Sequence, residues 1–322
     1  MTKLLPIRYD IEKLLLKFAR LSIFLFFAAI SFLMNSHTVL AQENSSNEDQ
    51  SNEKTTANKE GSFAFDRRLN MENEVKDKLF VLTMHRPNYF LGATYNENPN
   101  EGPYEEAGRD LPNTTEAKFQ LSFKMLIWQN IFNGHGDLYA AYTQLSMWQI
   151  YDFSSPFRET NYEPELFLKF DTDLNFAGFR NRLFLIGLVH QSNGQDVPLS
   201  RSWNRVYVEF IATRGDFVLG LKPWYRFPES ENADDNPDIE DYLGYGKLWG
   251  AYKMGDHVFS FTLHNNLQLN GNKGSIELGW SYAIIKNLRV YLQYYNGYGE
   301  SMIDYNNFAH RIGLGLMIND WL

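Results

Sequence analysis

Apolar and polar residues alternate along most of the chain beyond residue 79. The alternation is clearest over residues 118–127, 275–282 and 288–294. Successive side chains of a β-strand point to opposite faces, so each segment predicts a strand with one apolar face. A soluble β-sandwich could show the same pattern. Several segments keep it for 9 to 12 residues, whereas strands of soluble sheets usually span ~5–6 residues, and this length favours strands that cross a membrane.

Twelve such segments lie between turn signals. Short and long connections alternate, with tight turns at 214–216 and 254–256 and long loops at 96–113 and 228–238. An even number of long strands joined in this way predicts an all-β fold, a twelve-stranded antiparallel transmembrane β-barrel. The eighth and ninth segments alternate least regularly. The predicted strands are 80–95, 117–130, 137–151, 162–172, 180–192, 202–213, 216–227, 240–254, 256–268, 274–284, 287–298 and 308–319.

The two faces of these strands differ in chemistry. In the last strand Ile312, Leu314, Leu316 and Ile318 share the lipid-facing parity, and the terminal Leu322 is expected to keep it. The opposite face of the strands, which points into the barrel, carries charges of both signs. This predicts an interior crosslinked by ion pairs rather than an open pore lined by charges of one sign. These charges are Lys118, Lys124, Glu165, Lys169, Asp171, Arg205, Glu209, Lys222, Arg226, Glu277, Arg289 and Arg311.

The first 75 residues divide into two segments. Residues 1–41 predict a signal peptide, because basic residues precede an apolar run at 21–34 and small residues follow it. A single membrane anchor is the alternative, but a run of 14 residues is short of the ~20 that span a bilayer. Residues 42–75 are mostly polar and predict a disordered linker, so the barrel domain is assigned to 76–322, with structure beginning near Phe80. Export and a barrel together predict the outer membrane of a Gram-negative bacterium.

Composition narrows the chemistry. The chain has no cysteine, which excludes disulfides, thiolate zinc sites, iron–sulfur clusters and Cys nucleophiles. Its net charge of −9 argues against a nucleic-acid partner. Aromatic residues make up 16% at a mean hydropathy of −0.41, a combination that does not suit a helical membrane protein.

Three polar residues fall on the predicted lipid-facing parity. His190 and Ser192 continue the face that begins with apolar residues of the fifth strand, and Asn204 shares the outward face of the next strand. Polar groups in hydrocarbon are costly without partners. Either the two strands leave the membrane here, or the residues form a nucleophilic triad in which His190 removes the Ser192 proton and Asn204 orients the imidazole.

Several blocks, in order along the chain, resemble those of the outer membrane phospholipase A family. The resemblance extends over most of the chain from about residue 117 to its end. They are Ser154-Ser-Pro-Phe-Arg-Glu-Thr-Asn-Tyr-Glu-Pro164, His190-Gln-Ser-Asn-Gly-Gln-Asp-Val-Pro-Leu-Ser-Arg-Ser-Trp-Asn-Arg-Val-Tyr207, Lys222-Pro-Trp-Tyr225, Asp235-Asn-Pro-Asp-Ile239 and Gly297-Tyr-Gly-Glu-Ser-Met-Ile-Asp-Tyr-Asn306.

The resemblance implies a twelve-stranded barrel with its active site on the outside. By motif match Ser192 would be the nucleophile, His190 the base and Asn204 the orienter, and Gly194 would offer a backbone N–H to the oxyanion. The family's fold carries these roles at the membrane boundary, where the substrate is a phospholipid.

The resemblance also implies a calcium cofactor and a homodimer. Calcium would polarise water and help to hold the oxyanion; its ligands map onto the Ser200 hydroxyl, the Gln195 carbonyl and Ser154 of the partner subunit. Gln195 replaces the family's usual Arg, but the ligand at this position is the backbone carbonyl, which does not depend on the side chain. Gln144 would lie at the polar dimer interface. Two functions remain open: a calcium-dependent phospholipase A active as a homodimer, and a catalytically silent outer-membrane barrel or channel.

Overall fold

The computed structural model describes residues 63–76, 78–230, 232–285 and 287–322. The predicted signal peptide and residues 42–62 of the predicted linker lie outside these ranges. The described residues form helices α1 (Ala64–Asn73), α2 (Gly102–Glu106) and α3 (Glu240–Leu243). Their strands are β1 (Leu82–Met84), β2 (Asn88–Asn96), β3 (Thr115–Trp128), β4 (Asp137–Trp148), β5 (Phe157–Phe176), β6 (Phe179–Ser192), β7 (Ser202–Arg214), β8 (Phe217–Arg226), β9 (Gly246–Met254), β10 (His257–Asn265), β11 (Gly274–Ile285), β12 (Leu288–Tyr298) and β13 (Phe308–Asn319).

Strands β2 to β13 form a closed antiparallel ring, which confirms the predicted twelve-stranded barrel. Each strand pairs with the next in sequence, and β13 pairs with β2 to close the ring. The short β1 runs along β3 in line with β2. The predicted first strand is therefore interrupted, at a point where Pro87 has no N–H to donate to a ladder.

The two ends of the barrel differ. One end, here called the turn rim, has tight turns such as those at Gly215 and Gly255, which adopt φ of +61° and +60°. Glycine tolerates this left-handed backbone best. The other end, here called the loop rim, carries the long connections, including 97–114, 193–201 and 227–245.

Apolar side chains cover the outer surface as the alternation predicts. Leu314 and Ile318 of β13 are each 53% exposed. The prediction for Leu322 is wrong, because β13 ends at Asn319 and the last residues turn inward. Trp321 stacks on Trp249 at 4.2 Å between ring centroids, and Leu322 packs against the interior apolar cluster of buried side chains to which Trp249 belongs.

Ion pairs cross the barrel interior, as predicted from charges of both signs. Near the loop rim Arg311 pairs with Glu300 and Glu116, each at 2.7 Å. Further inside, Lys222 pairs with Glu165 at 2.9 Å. A buried charge is costly unless it is paired, so these contacts account for the inward-facing charges.

Helix α1 packs against the inner wall at the turn rim. Its Phe65 joins the interior apolar cluster, and Asp66 pairs with Arg182 at 2.6 Å. Burial would raise the pKa of Glu72, but the nearby charges of Lys124 and Arg68 lower it to about 2.

Two sequence-based boundaries are wrong. The predicted linker, 42–75, overlaps helix α1, which lies well before the predicted start of structure near Phe80. The predicted eighth strand, 240–254, begins with helix α3, and β9 starts only at Gly246. Within the described residues no helix is both long and apolar enough to cross a membrane.

Candidate active site

His190 and Asn204 meet on the outer face of the barrel. They are direct partners in the β6–β7 register, close to the loop rim. The imidazole Nδ1 and the amide Oδ1 are 2.9 Å apart. Because an amide oxygen only accepts hydrogen bonds, Nδ1 is the donor in this contact, and in the neutral imidazole Nε2 then carries no proton. An imidazole in this tautomer can act as a general base.

Ser192 lies on the same outward face, two residues along β6 from His190. Its register neighbours are Tyr162 of β5 and Ser202 of β7. Hydrogen bonds among the described residues join His190 to Asn204 but not to Ser192. Catalytic hydrogen bonds are often long before substrate binds and shorten only in the complex.

The three residues belong to strands and not to a loop. Just below them on the same face, Leu188 is 51% exposed and Phe210 43% exposed. Polar chemistry therefore lies directly above an apolar surface. A phospholipid has the same order of apolar chains and polar ester groups along its length.

The β6–β7 loop is held by the buried Asn193. Its side-chain oxygen accepts from the backbone N–H groups of Gln195 and Arg201, and its amide nitrogen donates to the Leu199 carbonyl at 2.8 Å. Beside it Gly194 adopts φ of +63°. A side chain there would be strained by this backbone conformation.

The predicted calcium ligands of the β6–β7 loop offer oxygen atoms close to a carboxylate. Ser200 donates its hydroxyl hydrogen to the Asp235 carboxylate, and among the described residues the Gln195 carbonyl accepts no backbone or side-chain hydrogen bond. A hydroxyl, a free carbonyl and a neighbouring carboxylate are oxygen donors that suit a hard cation. The described residues include no cluster of three or more His, Asp or Glu side chains placed to hold a metal.

The two remaining predicted residues belong to β4 and to the loop that follows it. Ser154 is exposed in the β4–β5 loop of the loop rim. Among the described residues, no hydrogen bond joins its hydroxyl to Ser200 of the same chain. Gln144 faces outward on β4, accepts from the Tyr142 hydroxyl and donates to Ser146. These hydrogen bonds form a polar line on an otherwise apolar wall.

Sequence reasoning missed three residues around the site. Asn193 holds the β6–β7 loop, Asp235 accepts from Ser200, and Glu229 accepts from the Asn204 amide at 3.2 Å. Asn193 and Asp235 lie inside sequence blocks that carry the family resemblance, which is the signal that could have indicated them. Glu229 lies outside those blocks.

Comparison with known proteins agrees with this architecture. A family model described as Phospholipase A1 matches residues 65–318. The chain is 44% identical over 246 residues to Phospholipase A1 of Escherichia coli strain K12, covering 76% of this chain and 83% of that protein.

Two solved structures are similar along most of the chain. Outer membrane phospholipase A from Escherichia coli aligns with a TM-score of 0.69 at 43% identity, covering 76% of this chain and 100% of that one. A Salmonella typhi outer membrane phospholipase dimer with bound calcium aligns with a TM-score of 0.68 at 42% identity, covering 75% and 93%.

These matches confirm the resemblance read from the sequence blocks. The outer-membrane location predicted from strands and export is confirmed as well. The chain therefore belongs to the phospholipase A1 family and is an ester hydrolase built on an outer-membrane β-barrel.

Proposed function

We propose that the protein is a calcium-dependent phospholipase A that hydrolyses acyl ester bonds of phospholipids with Ser192, His190 and Asn204. The contact of 2.9 Å between His190 and Asn204 on the lipid-facing side carries this proposal. It leaves the imidazole with one free nitrogen on the face that Ser192 shares. The known activity of the family supports the substrate class.

The chemistry would proceed through an acyl-enzyme. Ser192 Oγ attacks the ester carbonyl carbon while His190 Nε2 takes its proton. The tetrahedral intermediate then breaks the ester C–O bond, and His190 returns the proton to the leaving lysophospholipid alcohol. A water molecule, deprotonated by the same imidazole, hydrolyses the acyl-serine, releases the fatty acid and restores Ser192.

Gly194 would stabilise the negative charge that develops on the carbonyl oxygen. Its left-handed backbone lies within the loop that Asn193 holds, which supports a fixed direction for the N–H. A donor fixed in advance stabilises the transition state without reorganisation. Asn204 would keep the imidazole angle and tautomer, and would not exchange protons itself.

Calcium would be held by the Ser200 hydroxyl, the Gln195 carbonyl and Ser154 of the partner subunit. When bound, the ion would supply positive charge beside the reacting ester. The Salmonella typhi relative, described as a dimer with bound calcium, supports both the ion and a homodimer for this chain. Gln144 would lie at the dimer interface. There its side chain could hydrogen-bond with polar groups of the partner subunit.

The test is fatty-acid release from phospholipid–detergent micelles by the purified barrel. Wild type should be active with calcium and lose activity in excess chelator, with recovery when calcium is restored. Ser192→Ala should reduce release to background while the barrel stays folded, because one outward hydroxyl contributes little to packing. Activity near wild type in Ser192→Ala would refute the triad; activity unaffected by chelator would refute the calcium dependence.

A further inference from the structure

Glu229 contacts the side of Asn204 that faces away from the histidine. It lies half-buried in the β8–β9 loop, three residues beyond the end of β8. Its Oε1 accepts a hydrogen bond from Asn204 Nδ2 at 3.2 Å. In the same loop the Phe227 N–H donates to the Asn204 carbonyl oxygen at 2.8 Å. The loop therefore holds Asn204 by both its backbone and its side chain.

The Asn204 amide has two orientations that differ only in which end meets the histidine. With Oδ1 toward His190, the Nδ1 nitrogen is protonated and Nε2 is free to act as a base. With the amide turned by 180°, Nδ2 would donate to an unprotonated Nδ1, and Nε2 would carry the proton. The second arrangement has no base facing Ser192.

A carboxylate distinguishes between these two orientations. An ionised carboxylate only accepts hydrogen bonds, so it attracts the amide N–H group and repels the amide oxygen. With Glu229 on one side, the amide nitrogen points to Glu229 and the amide oxygen points to His190.

We propose that Glu229 is a positioning residue that fixes the orientation of the Asn204 amide and thereby the catalytic tautomer of His190. This inference rests on the proposed triad. Glu229 does not reach the ester or the nucleophile, so its whole effect passes through Asn204. It extends the proposed Ser192, His190 and Asn204 set by a fourth side chain.

The effect of removing this carboxylate should be moderate. A hydrogen bond to a charged group that is partly exposed contributes modestly. Glu229→Ala should lower kcat about fivefold and leave KM within about twofold, since substrate contacts are unchanged. Glu229→Gln keeps an oxygen that can accept from Asn204 Nδ2 but loses the charge, so its loss should be smaller, about twofold.

A double-mutant cycle tests whether Glu229 acts through Asn204. The variants are Glu229→Ala, Asn204→Ala and the double variant, each as the full chain in detergent with calcium. Glu106→Gln is the matched control, because it removes an exposed carboxylate from helix α2 on the same rim. The readouts are kcat and KM for a phospholipid ester and the rate at which a sulfonyl fluoride labels Ser192.

The expected result is that Glu229→Ala slows turnover and labelling by the same factor, and has no further effect once Asn204 is Ala. Glu106→Gln should match wild type. An undiminished effect in the Asn204→Ala background, a Gln variant as impaired as the Ala variant, or a Glu229→Ala variant equal to wild type would each overturn the inference.

The same series of variants distinguishes a failure of the proposed triad from a failure of the role proposed for Glu229. Ser192→Ala is measured in the same series, and activity in that variant would refute the triad whatever Glu229 does. If Ser192→Ala is inactive while the Glu229 variants match wild type, only the role of Glu229 is refuted. Migration of the folded barrel in an unheated detergent gel shows that each variant is folded.

Discussion

His190 and Asn204 show how residue-scale chemistry depends on register. They face each other because β6 and β7 pair at those two positions. A shift of either strand by one residue would turn its own side chain inward and separate the pair. Ser192, two residues along, is on the outer face for the same reason. The period of two that places leucine and phenylalanine toward lipid therefore also places the candidate triad there.

Asn204→Ala should reduce activity less than Ser192→Ala does. The orienting amide biases the angle and tautomer of the imidazole, whereas the nucleophile forms the covalent bond. A loss of about 10²-fold in kcat is expected for Asn204→Ala, with measurable activity remaining. Initial rates of fatty-acid release in both variants provide the comparison. An equal loss in the two variants, with both barrels folded, would contradict the ranking.

Gly194→Ala should lower activity about tenfold. Its φ of +63° is unfavourable for Ala by about 1 kcal/mol, and a Cβ would be 3.1 Å from a ring carbon of Tyr162. Relief of this strain would move the N–H that is proposed to meet the oxyanion.

Gly215→Ala is the matched control for that substitution. Gly215 has nearly the same φ, +61°, but lies in the β7–β8 turn at the opposite rim, where the nearest atom to a Cβ would be 3.7 Å away. Its backbone strain should be similar and its activity unchanged. If both variants lose activity equally, strain in the barrel as a whole, and not the position of Gly194, explains the loss.

At the scale of elements, the β6–β7 loop connects the candidate triad to the proposed ion site. Asn193 supplies three of its hydrogen bonds. Asn193→Ala would leave two backbone N–H groups and one carbonyl without their partners, and buried groups without partners are costly. Activity should fall at least tenfold, and calcium should bind more weakly, because Gly194, Gln195 and Ser200 all belong to this loop.

Calcium titration and turnover measure this effect on the same samples. Asn265→Ala provides a matched control, because Asn265 organises a different loop of the same rim through its bond to the Leu267 N–H. The control should retain activity. Unchanged calcium affinity in Asn193→Ala would show that the loop keeps its shape without these hydrogen bonds.

The strands could be predicted from the sequence because one rule, the alternation of apolar and polar residues, applies along the whole length of each. Long strands with one face in lipid alternate regularly, and the ring of β2 to β13 follows from that. Helix α1 could not be predicted in the same way, because Phe65 and Leu69, which pack against the interior one helical turn apart, are too few to set an apolar period. Its position depends on ion pairs with distant strands.

The site shows the same limit. His190, Ser192 and Asn204 could be found because polar residues are unusual on a lipid-facing parity. Glu229 is one of many polar residues in a long loop. Glu229 reaches Asn204 only because the loop folds back onto β7. The sequence around Glu229 has no pattern that predicts this contact.

At the scale of the whole molecule, one barrel holds an incomplete set of the proposed calcium ligands. Ser200 and the Gln195 carbonyl share the β6–β7 loop, whereas Ser154 lies in the β4–β5 loop. Calcium usually takes 6–8 oxygen ligands, so two from one chain leave most positions to water. A second chain that contributes Ser154 would bind the ion more tightly. Dimerisation and calcium binding would then favour each other by linkage.

Activity should therefore require calcium and dimerisation together. Ser154→Ala is expected to weaken calcium binding about tenfold and to shift crosslinked dimer toward monomer at a given calcium concentration. Calcium titration and chemical crosslinking of the same detergent samples measure the two effects. Ser155→Ala is the control, because the Ser155 hydroxyl donates to the Ile150 carbonyl within the same loop. If Ser155→Ala binds calcium as wild type does, the effect of Ser154→Ala comes from the lost ligand and not from a disturbed loop. If isolated monomers hydrolyse phospholipid at the full rate, or if Ser154→Ala binds calcium as tightly as wild type, the shared site is wrong. This coupling suits an esterase embedded among its own substrates, because a monomer with an empty ion site would leave the surrounding membrane intact.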